Sequence, residues 1–518
     1  MRINRELLRL WTVLLASAVT LSAANDAPLI NAVRNENTGA VRALLKQRVD
    51  VNLPAGDGST ALHWAVHRDN LTTVDLLLRA GARANVSNDL GVTPLYLACT
   101  NRSGNVVRKL LEAGANPNAT LVRGETVLME CARAGTVDGV RALLAKGADV
   151  NAKESTHGQT ALMWAASQKH AGVVEALLEL GADVRARSRT YTQTVKNADR
   201  TGNREPVSTV ERGGSTPLLF AVRAGDVESV RHLLGAGADV NEALPDNMSA
   251  LVLAAHSGHG AVGALLLENG AAPNADAVGY SALHAAVLRG DVGLVKALLA
   301  RGANPNSLIT KSSPIRRDSQ DFSLPSPLTG ATPYLLAAKY LEIDIMRALA
   351  AAGVDPRLTM PNGTTALMMA AGTFEARARD ERRNLNRRGI CVCDGGVLED
   401  ASRVKEAVRA ALDLGIDVNA VNVAGDTALH AAASMGYESV VQLLAEQGAS
   451  LNVKNKRGQT PLATLSKGRR PAAAAEPDDI VGGVAAAGSV AGAGSDVYGI
   501  QRAQQNTAAL LRKLGAVE

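Results

Sequence analysis

Short apolar segments alternate with polar turns along this chain, in a pattern that returns about every 33 residues. Each repeat begins with a seven-residue phrase, seen clearly in Thr60-Ala-Leu-His-Trp-Ala-Val66. A second apolar stretch follows, such as Val140-Arg-Ala-Leu-Leu144, and then a Gly-Ala-Asp-Val-Asn turn, as at residues 147–151. Because apolar residues recur three and four positions apart in both segments, the pattern predicts two short amphipathic helices per repeat.

The phrase occurs twelve times, beginning at residues 27, 60, 93, 126, 160, 216, 249, 281, 332, 365, 427 and 460. Eight of the eleven intervals are 32 to 34 residues long, and the other three contain insertions. Thr or Ser at the first position is a good helix N-cap, and Pro fits the position after it. Gly ends the second helix, and Asp or Asn forms the turn. One such unit cannot bury its apolar face alone, so the units are expected to stack.

A 33-residue period with a phrase of the Thr-Pro-Leu-His-x-Ala type resembles the ankyrin repeat. The resemblance covers most of residues 27–518. It implies an all-α solenoid of about 12 helix–turn–helix units with projecting finger turns. It also implies that His63, His284 and His430, which share one phrase position, hydrogen-bond the neighbouring finger. The alternative is metal binding or acid–base catalysis, but with one histidine per unit, about 10 Å apart at the usual helix spacing, they cannot share a metal ion.

Residues 1–24 differ from the repeats and have the layout of a secretory signal peptide. Three arginines precede an apolar run from Leu10 to Leu21, and small residues follow up to Ala24. The run is short for a membrane span, so we expect cleavage after Ala24. The mature chain, residues 25–518, would then be periplasmic or secreted, and an uncleaved anchor is the alternative. Together with the Ala- and Arg-rich composition, this layout favours an exported bacterial protein.

Four segments interrupt the repeats, and we read them as inserted surface loops or as binding loops. The first and third are rich in arginine, the second in Ser and Pro, and the fourth in Ala, Gly and Pro, which predicts flexibility. They span about 187–213, 308–328, 374–400 and 469–499. A capping helix at about 503–514 is expected to close the solenoid.

Composition and motifs argue against several functional classes. Aromatic residues make up only 3% of the chain and the net charge is +5, so we expect no nucleic-acid binding. We find no phosphate-binding loop, nucleophile elbow or metalloprotease helix. We therefore predict no catalytic residue, no cofactor and no metal site, and hence no enzyme. No segment after the signal peptide is apolar enough for stable membrane insertion.

The four cysteines fall into two pairs. Cys99 and Cys131 lie in the first helices of adjacent units, where we expect small core residues too far apart for a disulfide. Cys391 and Cys393 lie in the third insertion and are candidate reactive thiols. They could be a partial metal site, a redox pair or half of an intermolecular link.

The resemblance places the partner-binding face at the residues that follow each phrase, and these vary while the phrase is constant. We predict a monomeric, non-catalytic scaffold whose concave groove and finger loops bind another protein with an acidic or mixed polar surface. The alternatives are a secreted effector that binds host proteins and a redox or metal-linked accessory factor using Cys391 and Cys393. The candidate partner-binding residues are His67, Arg68, Asn101, Arg133, Gln168, Arg223, His256, Arg289, Lys339, Tyr340 and Met435.

Overall fold

The computed structural model describes residues 28–195, 208–311, 328–372, 396–466 and 493–518. Within these ranges the chain forms two compact bodies, and the first ends at Asp246. The first contains units one to six, and the second contains units seven to twelve, when units are numbered by their phrases.

The first body consists of six helix pairs and one β-hairpin. Its first helices stack on one another along the repeat, and its second helices do the same, so the body has two helical layers. The first helices are α1 (Pro28–Arg34), α3 (Ala61–His67), α5 (Pro94–Thr100), α7 (Val127–Ala134), α9 (Ala161–Ser167) and α11 (Pro217–Ala224). The second helices are α2 (Thr38–Lys46), α4 (Leu71–Arg79), α6 (Gly104–Glu112), α8 (Val137–Ala145), α10 (Ala171–Glu179) and α12 (Val227–Gly235).

The second body repeats this two-layer arrangement. Its first helices are α13 (Ala250–Ser257), α15 (Ala282–Arg289), α17 (Pro333–Tyr340), α19 (Ala366–Ala370), α21 (Ala428–Met435) and α23 (Ala463–Ser466). Its second helices are α14 (Gly260–Glu268), α16 (Val292–Ala300), α18 (Ile343–Ala351), α20 (Gly396–Asp413), α22 (Glu438–Glu446) and α24 (Ala493–Lys513). The all-α ankyrin-type solenoid expected from the phrase is therefore confirmed.

The phrase residues form the helices for the reasons that the sequence gives. The hydroxyl of Thr126 accepts a hydrogen bond from the amide of Met129 at 3.2 Å, which caps α7. The same helix ends at Gly135, whose φ of 84° is left-handed. Leu128 and Ala132 are buried in the layer between units, where small side chains let neighbouring helices approach.

The first insertion contains regular structure that its polar composition did not predict. Strand β1 (Tyr191–Val195) pairs in antiparallel register with β2 (Ser208–Arg212) and extends the fifth finger as a hairpin. Both strands are rich in Thr and Val, which favour extended backbone. Gly213 follows with a φ of 79°, and a Cβ there would lie 1.9 Å from the carbonyl oxygen of Arg189. Only glycine fits this crossing.

Several sequence predictions lie outside the described residues. These are the signal peptide at 1–24, the thiols Cys391 and Cys393, and most of the second, third and fourth insertions. Within the described ranges, none of the helices is both long enough and apolar enough to cross a bilayer.

Candidate partner-binding surface

The phrase histidines join each unit to the next finger. The imidazole Nδ1 of His63 accepts the amide hydrogen of Thr60 at 3.1 Å, so its Nε2 carries the proton and donates to the carbonyl of Val92 at 3.1 Å. The same contact joins His284 to the carbonyl of Ser307 and His430 to that of Gln459. The histidines therefore have the structural role that the ankyrin resemblance implied.

Burial keeps these imidazoles uncharged. It lowers the pKa of His63 and of His430 below the usual 6.5, and it lowers the pKa of His284 to about 4. A neutral ring with one donor and one acceptor nitrogen satisfies both the N-cap and the finger carbonyl. Protonation would replace the acceptor with a donor and break the contact to the cap.

A ladder of asparagines connects consecutive turns, which the sequence analysis missed. The side-chain amide of Asn118 donates to the carbonyl of Gly147 at 2.9 Å, and its oxygen accepts from the amide of Asp149 at 2.8 Å. Seven other asparagines make the same two bonds, namely Asn52, Asn85, Asn151, Asn274, Asn306, Asn419 and Asn452. The signal was available, since Asn returns at the last position of the Gly-Ala-Asp-Val-Asn turn.

The eleven candidate contact residues differ in their exposure. His67, Arg68, Gln168 and Arg223 are exposed at the ends of first helices in the first body. Half-buried are Asn101, Arg133, His256, Arg289, Lys339 and Tyr340. The structure therefore does not present these positions as one uniform surface.

Two of the half-buried candidates bind the preceding unit. The side-chain amide of Asn101 donates to the carbonyls of Val66 at 2.7 Å and His67 at 3.1 Å. Arg289 donates through Nε to the carbonyl of His256 at 2.6 Å. Because the last carbonyls of a helix have no partner within it, such donors complete the end of the neighbouring helix. Asn101 and Arg289 thus contribute to the framework.

Met435 is buried, with only 9% of its surface exposed, so the structure removes it from the candidate contact residues. A Cβ added to Gly372 would lie 3.2 Å from Met435 Cγ, which shows how closely the two residues pack. The sequence placed Met435 on the surface by its phrase position alone. Its apolar side chain instead fills space between first helices.

Arg133 belongs to a charged cluster centred on Glu130, which is only 1% exposed. The arginine donates to the carboxylate through Nε at 2.8 Å and through Nη2 at 2.6 Å. From α5, the hydroxyl of Tyr96 donates to Oε2 and that of Thr100 to Oε1, both at 3.0 Å. The first helices of units three and four are therefore joined by one carboxylate with four donors.

The pKa values of both Tyr96 and Arg133 are raised in this cluster. Burial and the Glu130 carboxylate raise the pKa of Tyr96 well above its usual range. Burial alone would lower the pKa of Arg133, but the adjacent carboxylate more than offsets this and the pKa is raised. The cluster thus holds a neutral phenol and a charged guanidinium at neutral pH.

Cys99 and Cys131 form a disulfide bond between α5 and α7, so the prediction that they lie too far apart was wrong. Their Cα atoms are 4.5 Å apart and both residues are fully buried. The sequence estimate used the usual separation of packed helices, whereas Ala98 and Ala132 beside the cysteines let these two helices come closer.

Among the described residues, no group of three or more His, Cys, Asp or Glu side chains could hold a metal ion.

The finger tips of the first body expose apolar side chains. Leu90 is 61% exposed, Val122 is 90% exposed and Tyr191 is 47% exposed. A Cβ on Gly91 would lie 4.0 Å from Val122 Cγ2, so the tips of adjacent fingers are neighbours. These residues give little signal in the sequence, because Leu90 and Tyr191 are single apolar residues in polar turns and Val122 has only Leu121 beside it.

Comparison with curated proteins returns several relatives, and one of those below is named for ankyrin repeats. The chain is 28% identical over 287 residues to the E3 ubiquitin-protein ligase KEG of Arabidopsis thaliana, which is 49% of this chain and 16% of that protein. It is 31% identical over 142 residues to the neurogenic locus notch homolog protein 1 of Xenopus tropicalis, covering 26% of this chain and 6% of that protein. It is 49% identical over 59 residues to the ankyrin repeat and KH domain-containing protein mask of Drosophila melanogaster, covering 11% and 2%. The chain therefore spans only a small part of each of these relatives.

Two family models match the chain. The model for ankyrin repeats in three copies matches residues 29–121, 118–188 and 218–309, and the model for many copies matches residues 401–445. Together these matches cover more than half of the 518 residues. Ankyrin repeats generally mediate protein–protein interaction and are typically non-catalytic. The matched repeats, with their histidine contacts and asparagine ladder, show that the chain belongs to the ankyrin-repeat family.

Proposed function

We propose that this chain is a non-catalytic scaffold that binds another protein through the first body. The observation that supports this proposal most directly is the contrast between a constant framework and a variable, exposed set of side chains at the ends of the first helices. His67, Arg68, Gln168 and Arg223 belong to that set. Two arginines among them favour a partner with an acidic or mixed polar surface.

The finger tips add an apolar component to the proposed contact. Leu90 and Val122 project from adjacent fingers, and Tyr191 projects from the hairpin of the fifth finger on the same body. Neighbouring exposed apolar residues with charged residues around them are typical of protein-binding surfaces. Arg123 beside Val122 adds a cation at the tips. A partner segment that combines apolar and acidic side chains would complement both regions.

We also propose that the chain is exported and works in the periplasm or outside the cell as a monomer. The layout of residues 1–24 supports export. The effector and redox alternatives stay open as hypotheses, but no contact among the described residues favours either one.

The test is affinity capture from the compartment that receives the mature chain, with a charge-reversed variant beside it. Arg133 and Arg289 are unsuitable for reversal because each binds the framework. Arg68→Glu with Arg223→Glu changes the proposed surface, and Arg42→Glu with Arg108→Glu, on exposed positions of second helices, is matched in charge. We expect the first variant to lose the captured protein and the control to retain it.

Retention of the same captured protein by both variants would contradict the proposed surface. Light scattering of the mature chain checks the monomer independently. Loss of capture by both variants with folding intact would show that capture depends on net charge and not on the proposed surface, which would equally contradict the proposal.

A further inference from the structure

We propose that the disulfide between Cys99 and Cys131 is introduced by thiol–disulfide exchange outside the cytoplasm before α5 packs on α7, and that it then holds the first helices of units three and four together around the Glu130 cluster. The modifying reagent would be an oxidised thiol–disulfide oxidoreductase encountered during folding outside the cytoplasm. This inference rests on the proposed export of the chain, but not on any partner.

The two cysteines occupy positions that a disulfide can span. Cys99 is the seventh residue of its phrase and Cys131 the sixth of the next, and this offset places their Cα atoms 4.5 Å apart. Disulfides join Cα atoms about 4.4 to 6.8 Å apart. At the same phrase positions the fifth unit has Ala166 and Ala165, so a cysteine is not needed there for packing.

The surroundings of the bond leave no room for a larger neighbour. Both cysteines are fully buried, and a Cβ added to Gly139 of α8 would lie 2.8 Å from Cys131 Sγ. A reductant can reach sulfur atoms in such a position only after the helices separate. The bond is therefore a permanent structural link in the folded protein, and it differs from an exposed, reversible redox pair.

The contacts on either side show what the link holds in place. Thr100, next to Cys99, donates to Glu130, which is next to Cys131. The hydroxyl of Thr136 donates to the carbonyl of Cys99 at 3.5 Å. The disulfide thus lies within a group of polar contacts between units three and four, and it keeps Glu130 within reach of its donors.

The bond forms by a two-step thiol–disulfide exchange. The thiolate of one cysteine attacks a sulfur of the donor disulfide, which forms a mixed disulfide and releases one donor thiolate. The thiolate of the other cysteine then attacks the mixed disulfide, so that the Cys99–Cys131 bond forms and the second donor thiolate leaves. Two electrons pass to the donor, and the two protons from the cysteine thiols end on the donor thiols. Because both sulfur atoms are buried in the folded body, the exchange must precede the packing of α5 on α7.

The first experiment asks whether the bond forms. The full chain, with Cys391→Ser and Cys393→Ser so that two cysteines remain, is exported and unfolded without reductant in the presence of an alkylating reagent. We expect no alkylation, and a cross-linked peptide pair that contains Cys99 and Cys131. Alkylation of both residues in the exported chain overturns the proposal.

The second experiment asks where the bond forms and what it does. The same chain without residues 1–24, kept in a reducing cytoplasm, should be alkylated at both cysteines, and a full cross-link there would overturn the assignment to an oxidising compartment. The variant Cys99→Ala with Cys131→Ala removes the bond and introduces alanine, the residue that the fifth unit has at both phrase positions. We expect its melting temperature, followed by tryptophan fluorescence, to fall by on the order of 10 °C relative to the cross-linked chain. Equal melting temperatures overturn the locking role. Failure of the capture experiment above would leave all three results unchanged, so the two proposals fail separately.

Discussion

The Glu130 cluster offers the sharpest test of how this framework is held together. We consider Glu130→Leu, because Leu253 and Leu336 occupy the same phrase position in other units and Leu fits that helix. The substitution removes the acceptor of four hydrogen bonds. Whether this matters depends on which donors can find water instead.

The donors differ in their access to solvent. The side chain of Arg133 is 34% exposed and can turn toward water, and Thr100 lies at the exposed end of α5 and already contacts the carbonyl of Tyr96. The hydroxyl of Tyr96 points to a fully buried carboxylate, so its loss of an acceptor should cost about 1–3 kcal/mol. The fold no longer has to desolvate a carboxylate, which offsets part of the loss. We expect a net destabilisation of about 1–2 kcal/mol.

The assay is urea unfolding of the mature chain, followed by tryptophan fluorescence. Trp64 and Trp164 both lie in the first body, so the signal reports the body that contains the cluster. Tyr96→Phe removes the hydroxyl that Glu130→Leu leaves without an acceptor. The double variant should therefore be about 1–2 kcal/mol more stable than the sum of the two single effects predicts. Glu228→Gln is the control, because its ion pair with Arg231 is exposed and should contribute less than about 0.5 kcal/mol. A Glu130→Leu chain as stable as the wild type, or strictly additive substitutions, would refute this account of the cluster.

Three further predictions concern the histidine contacts, the asparagine ladder and the hairpin. His284 has a folded-state pKa of about 4 against 6.5 unfolded, so the unfolded chain takes up the proton first and stability is lost as the pH falls. Between about pH 7 and 5.5, His284 alone should contribute a loss of about 1 kcal/mol by circular dichroism. His284→Gln should remove that contribution, whereas His63 and His430, whose pKa values are also lowered, should keep theirs. Asn118→Ala should lower the free energy of unfolding by about 1–2 kcal/mol, because two hydrogen bonds to the next turn are lost. The control Asn105→Ala, on the exposed face of α6, should lower it by less than about 0.5 kcal/mol in the same fluorescence assay. Gly213→Ala should lower the free energy of unfolding by more than about 2 kcal/mol or shift the hairpin, because the added Cβ would meet the carbonyl of Arg189. Unchanged amide hydrogen exchange in β1 would contradict this.

The sequence predicts the repeated part of this fold well, because each repeated residue has a local physical reason. Thr126 caps a helix through a neighbour three residues away, and Gly135 ends that helix by its own conformational freedom. Such reasons do not depend on the distance between units. His63 reaches beyond its unit, but the family resemblance supplied that contact, and the structure confirms it.

Features that depend on the distance between units could not be predicted in this way. The disulfide was missed because a typical helix spacing excludes it, and the 4.5 Å approach follows from small neighbours and from a one-residue offset between the two phrases. The Glu130 cluster was missed for the same reason, since Tyr96 and Glu130 are 34 residues apart and look like unrelated surface residues in the sequence. Both become visible only when the two helices are placed side by side.

The same distinction explains why the predicted binding face is only partly suited to binding. A residue after the phrase can point to solvent or reach back to the end of the preceding first helix, whose last carbonyls lack partners. Asn101 and Arg289 reach back and make short hydrogen bonds, so their variation between units reflects different ways to complete a helix end. Arg68, by contrast, is exposed and has only a 3.9 Å ion pair with Glu36, which contributes little to stability. A residue that varies at one repeat position is therefore a good binding candidate only if it does not already bond the neighbouring unit. By that criterion Arg68 is a stronger candidate than Arg289.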